Sequence, residues 1–94
     1  MVTFEFKRFG ENLGTRPLGK QAREELLPLF NGKERVVLDF DGVNVVSNSF
    51  ADECIAKLLL SMSLEDLKAR TTFHGLNPVA ADSVFPASIQ AYHD

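Results

Sequence analysis

Apolar Val2, Phe4 and Phe6 alternate with polar Thr3, Glu5 and Lys7, a period of two that predicts a half-buried strand over residues 2–9. Residues 10–14, bounded by Gly10 and Gly14, break the alternation and read as a loop. Thr15-Arg16-Pro17 then opens a helix: threonine is a good N-cap, and the first turn tolerates proline because its N–H has no partner there. Leu18, Ala22, Leu26, Leu29 and Phe30 follow at helical spacing, with Pro28 and Asn31-Gly32 marking the end. Val36-Val37-Leu38 is a β-branched apolar run of the kind that forms a strand covered on both faces, and it leads into Asp39-Phe40. Asp41-Gly42 turns the chain, and residues 43–46 continue extended to a second helix start at Ser47-Asn48-Ser49.

Phe50, Cys54 and Leu58, flanked by Ile55, Leu59 and Met62, give that helix one broad apolar face. A short helical turn capped by Ser63 is expected over residues 63–69, and a third strand over 70–76. Asn77-Pro78 signals a last helix, with Val79, Val84, Ile89 and Tyr92 for packing and Pro86 as a kink. Strand and helix alternate three times. Such an order predicts an α/β fold with a mostly parallel sheet, joined by right-handed crossovers and with helices packed against it. The first strand, at an edge, is free to run antiparallel.

The 94 residues make one domain, 1–94, with a single modest core that buries about 60–65% of the surface its unfolded form exposes. Hydrophobic residues at 45% and charged residues at 24% are the balance of an ordinary globular chain. The formal charge is −3 and the ten lysines and arginines are scattered, so no basic stripe offers itself to nucleic acid. No apolar run approaches the length of a membrane span, and the first residues lack the apolar centre of a signal peptide. One cysteine makes no internal disulfide. The cytoplasm is the expected compartment.

The most informative stretch is 36–53, where small hydroxyl and amide side chains follow a strand and open a helix. Ser49 with Asp52 three residues on fits a capping box if Ser49 is the cap, a role that contributes about 0.5–2 kcal/mol by itself. Phosphorylation of Ser49 would gain from the helix dipole and be opposed by Asp52 and Glu53.

Together with Arg16-Pro17-Leu18-Gly19 and Ala22-Arg23, the segments Leu38-Asp39-Phe40-x-Gly42-Val43 and Ser47-x-Ser49-Phe50-Ala51-Asp52-Glu53 resemble the STAS domains. These take their name from sulfate transporters and antagonists of anti-sigma factors. The likeness is closest to a STAS-like family of unknown function and spans about residues 14–60. It implies a STAS-like βαβαβα sandwich and a regulatory protein–protein interaction domain rather than an enzyme. By the same resemblance a serine at the helix start is phosphorylated by a partner serine kinase of the histidine-kinase-like ATPase type. Aligned on Gly42-Val43, Ser47 falls at the family's aspartate, Asn48 at the phosphorylated serine, Ser49 at the next hydroxyl and Phe50 at a glycine. Asparagine accepts no phosphoryl group, so the candidate phosphorylation sites here are Ser49 and Ser47. Arg16, Asn48, Ser49, Phe50, Asp52 and Glu53 are the candidate partner-binding residues. Without a modified serine, the same surface makes a constitutive binding module.

Asp39-Phe40-Asp41-Gly42 after an apolar strand also resembles the first motif of the haloacid-dehalogenase-like phosphatases. That likeness implies Asp39 as nucleophile, Asp41 as acid/base and bound magnesium. The chain is short for that family and has no convincing later acidic pair, so Asp39 is expected to hold the following loop by hydrogen bonds. His74 and His93 stand isolated, and no cofactor or metal is indicated. Cys54 lies on an apolar face and reads as inert packing, and Arg23 as part of a solvated helix face. Eight phenylalanines exceed the needs of so small a core, which suggests exposed rings at Phe9, Phe73 or Phe85.

Overall fold

The computed structural model describes residues 1–78. Strands β1 (Val2–Glu5), β3 (Val36–Asp39) and β5 (Thr71–His74) form a parallel sheet in the order β1-β3-β5. Two-residue strands β2 (Asn12–Leu13) and β4 (Val45–Val46) pair in parallel as a second small sheet. Helices α1 (Arg16–Leu26), α2 (Asn48–Cys54) and α3 (Leu64–Arg70) complete the described elements, with 3-10 turns at Phe6–Phe9, Leu27–Asn31 and Ala56–Leu60. This is the α/β, mostly parallel architecture that the alternating pattern predicts. The last helix expected after Asn77 lies outside the described residues.

The alternation at the amino terminus holds, but the strand is shorter than the pattern suggests. It ends at Glu5, where Phe6 swings into the core and stacks on Phe40, centroids 4.1 Å apart. The first strand also runs parallel to β3, not antiparallel. Val2 pairs with Val36, and ten residues later Asn12 pairs with Val45, nine residues on, so the two chains stay side by side with a one-residue slip between the sheets.

Burial on the large sheet alternates. Phe4, Val36, Leu38 and Thr71 are buried, whereas Thr3, Glu5, Thr72 and His74 on the opposite face are exposed, with Val37 and Asp39 half-buried. Among the described residues β3 buries Val36 and Leu38 fully on one face and Val37 and Asp39 partly on the other.

Each helix begins where a hydroxyl replaces a missing backbone partner. Thr15 accepts from the Leu18 amide, Ser47 from Phe50 at 3.0 Å, and Ser63 from Asp66 at 3.1 Å. Pro28 supplies no N–H to the carbonyl four residues back, and α1 tightens into a 3-10 turn at Leu27. Ala22, Leu26 and Phe30 from that segment meet Phe50, Cys54 and Leu58 in one core. The suspected exposed rings turn inward: Phe9 stacks on Phe4 and Phe73 on Phe40, while Phe85 lies outside the described residues. Arg70 closes the far end, donating to the Phe30 and Gly32 carbonyls with its guanidinium over the Phe30 ring.

Candidate functional site

β4 feeds directly into α2, and α1 lies against α2, so the segment singled out by sequence sits on one side of the helical layer. Gly19 permits the close approach. A β-carbon there would stand 2.9 Å from Glu53 Cβ and 2.9 Å from the Phe50 carbonyl oxygen.

Glu53 is the hub of this contact. Its Oε1 accepts from Lys57 Nζ at 2.6 Å and from Arg16 Nη1 at 3.3 Å, and its Oε2 from Arg23 Nη1 at 3.2 Å. Arg23 also donates to the Glu53 carbonyl oxygen. The Lys57 hydrogen bond, with help from the two arginines, holds the Glu53 carboxyl below its usual range despite burial. Arg16 reaches outward as well, donating to Asp52 Oδ2 at 2.8 Å, and that bond raises its pKa.

The candidate residues separate into two groups. Asn48 is exposed, the Arg16 and Asp52 side chains are about half exposed, and Ser49 is half-buried in the first turn of α2. Val45, three residues before Asn48, is 44% exposed as well. Phe50 does not belong with them: it is fully buried, because its ring packs edge-on to Phe6. Glu53 does not face outward either, since its carboxylate is consumed by three cations.

The cap also differs from the capping-box reading. Ser47, not Ser49, accepts from the helix, which leaves Ser49 two positions inside α2. Arg23 is no solvated residue but a half-buried partner of Glu53. Its seven-residue spacing from Arg16, two turns along one face, was the available signal, as was the Glu53–Lys57 spacing of four. Cys54 is buried as expected, and burial pushes its thiol up to about 12.

A second polar group gathers at the carboxyl ends of the large sheet. Glu5, Asp39 and His74 are register neighbours, and Glu5, Lys7, Asp39, Asp41 and Gly42 line a hollow of about 260 Å³. Asp39 Oδ1 accepts from the Asp41 amide at 2.9 Å, a short loop clasp. Gly75, at φ +76°, passes so close that a β-carbon there would stand 2.6 Å from the Asp41 nitrogen. Among the described residues no three His, Cys, Asp or Glu side chains converge as a metal site.

A parallel three-stranded sheet with helices on its core face, a small strand pair, and a polar α2 start next to α1 define a STAS-like α/β domain. The chain belongs to the family described as a STAS-like domain of unknown function, whose profile matches residues 19–80. No curated protein and no solved structure matches it. Among the described residues no helix is long and apolar enough to cross a membrane.

Proposed function

We propose that this domain is a regulatory protein-binding module whose docking surface is formed by Val45, Asn48, Ser49, Asp52 and Arg16. The observation that carries this reading is the exposure of the apolar Val45, the polar Asn48 and about half of the Asp52 side chain on elements whose Val46, Phe50, Ala51 and Cys54 are buried. Phe50, Ala51 and Cys54 anchor α2 in the core, so the outer side chains are held at fixed spacing. A rigid surface of this kind loses little entropy when a partner docks.

Ser49 supplies the switch. A phosphoryl group there adds nearly two negative charges one turn from Asp52, competes for Arg16, and changes what the surface attracts. Ser47 is the lesser candidate because its oxygen already caps α2. The partner enzyme of such a switch is a serine kinase of the histidine-kinase-like ATPase type. Asn48, standing where the related domains carry their acceptor serine, favours a second reading in which the surface binds constitutively.

Affinity capture from native cells with wild type and with the doubly altered Val45→Asp/Asn48→Arg chain tests the surface. A partner retained by wild type and lost by the variant supports it, and identical captured sets overturn it. With that partner in hand, Ser49→Asp is expected to bind differently from Ser49→Ala. Equal binding selects the constitutive module.

A further inference from the structure

We infer that the surface proposed above recognises an acidic segment of its protein partner, through a notch between Arg16 and Lys20 on α1. The inference rests on that docking reading and specifies its chemistry. Arg16, Pro17, Lys20 and Glu53 line a cavity of about 370 Å³ where the first turn of α1 leans over α2. Arg16 and Lys20 stand four residues apart and therefore share one helix face.

Their hydrogen-bonding states differ in a useful way. Arg16 engages Asp52 and Glu53 through Nη1, and its other guanidinium donors meet no described residue. Lys20 is exposed and makes no ion pair or hydrogen bond with any described residue. Glu53 cannot serve it, because Arg16, Arg23 and Lys57 already surround that carboxylate.

Charge bookkeeping along this face points the same way. Arg16, Arg23 and Lys57 pair with Asp52 and Glu53, and Lys20 lines the same cavity, four cations against two carboxylates. Counting Glu24, one turn beyond Lys20, still leaves it positive. The whole chain carries −3, so this is a local reversal of sign. A partner carboxylate entering the notch meets Lys20 and the spare donors of Arg16, with Pro17 as an apolar wall. Asp52 is its internal competitor, and because the Arg16–Asp52 pair is exposed, displacing it costs little.

The test uses the purified, isotope-labelled chain titrated by amide NMR with hexaglutamate, with hexaglutamine and inorganic phosphate as controls. Hexaglutamate is expected to shift the amides of Arg16, Leu18, Gly19, Lys20, Asp52 and Glu53, and to lose the effect in high salt. Lys20→Gln should weaken the apparent affinity about threefold, and Asp52→Asn should strengthen it by about the same factor. Both side chains are exposed, and the unchanged remainder of each spectrum reports that the variant is folded. Absence of shifts at Arg16, Leu18, Gly19 and Lys20, Lys20→Gln binding like wild type, or equal shifts from hexaglutamine or phosphate each overturn the acidic-segment inference. The capture experiment with Val45→Asp/Asn48→Arg is unaffected by those results, so the chemistry and the docking surface fail separately.

Discussion

Gly19 and Glu53 meet across α1 and α2 with no room for a β-carbon between them: one built on Gly19 stands 2.9 Å from Glu53 Cβ. The obstruction includes the Phe50 carbonyl at the same distance, and backbone does not swing aside. In an exposed helix interior, replacing glycine by alanine gains about 1 kcal/mol. Here Gly19→Ala is expected to lose about 1–3 kcal/mol, as overpacking does, measured as a lowered urea midpoint. A stabilised variant would mean that the helices separate freely.

Ser47 and Ser49 make opposite predictions although they are two residues apart. Ser47 caps α2, so Ser47→Ala should cost about 1 kcal/mol, and Ser47→Asp should retain most of the stability. Ser49→Ala, inside the first turn, should fall within about 0.5 kcal/mol of wild type. Chemical denaturation of the three variants decides the assignment of the cap.

The Glu53 hub gives the protein a defined acid response. Its carboxyl pKa is lowered in the fold from 4.5, chiefly by Lys57. A depressed value means the ionised form stabilises the native state, so the contribution is full above pH 4.5 and drains away as pH falls through the lower native value. Glu53→Gln should be less stable than wild type at pH 7, and the gap should close in acid below that range. A gap constant with pH would remove the carboxylate from the account.

Cys54 responds at the other end of the scale. Burial pushes its thiol from 9.0 up to about 12, so the stability it contributes is intact below pH 9.0 and is lost as pH rises through that raised value. A thiol reagent at pH 8 should label the native chain far more slowly than the denatured one. Equal rates would place Cys54 at the surface.

Asp39 is expected to act on the loop. Asp39→Ala, which frees the Asp41 amide, should cost about 1 kcal/mol, and Asp39→Asn, which keeps an acceptor oxygen, much less. Hydrolysis of p-nitrophenyl phosphate with magnesium should be the same for wild type and Asp39→Asn. Activity abolished by that change would revive the phosphatase resemblance.

The elements were legible because their signals are local. Thr15, Ser63 and Pro28 act on neighbours within four residues, and the structure uses each as the pattern predicts. The alternation at Val2, Phe4 and Phe6 fixed which side chains turn inward, and the apolar face from Phe50 to Leu58 is the one buried. The cap was less legible, since Ser47, Asn48 and Ser49 all have capping side chains and only the path of the chain leaving β4 selects Ser47.

By itself, then, the sequence determined the alternating α/β order, the apolar faces of the helices and the polar character of the α2 start. Tertiary structure alone decided that Glu53 turns away from solvent, that Phe9 and Phe73 pack against the core, that Arg23 joins Arg16 and Lys57 around one carboxylate, and that Val45 and Lys20 are left outward. The reason is physical: periodicity assigns a residue to a face, but the partner of that face comes from residues 30 or more positions away. Which carboxylate then gathers which cations depends on how closely α1 and α2 approach, and that distance is set at Gly19.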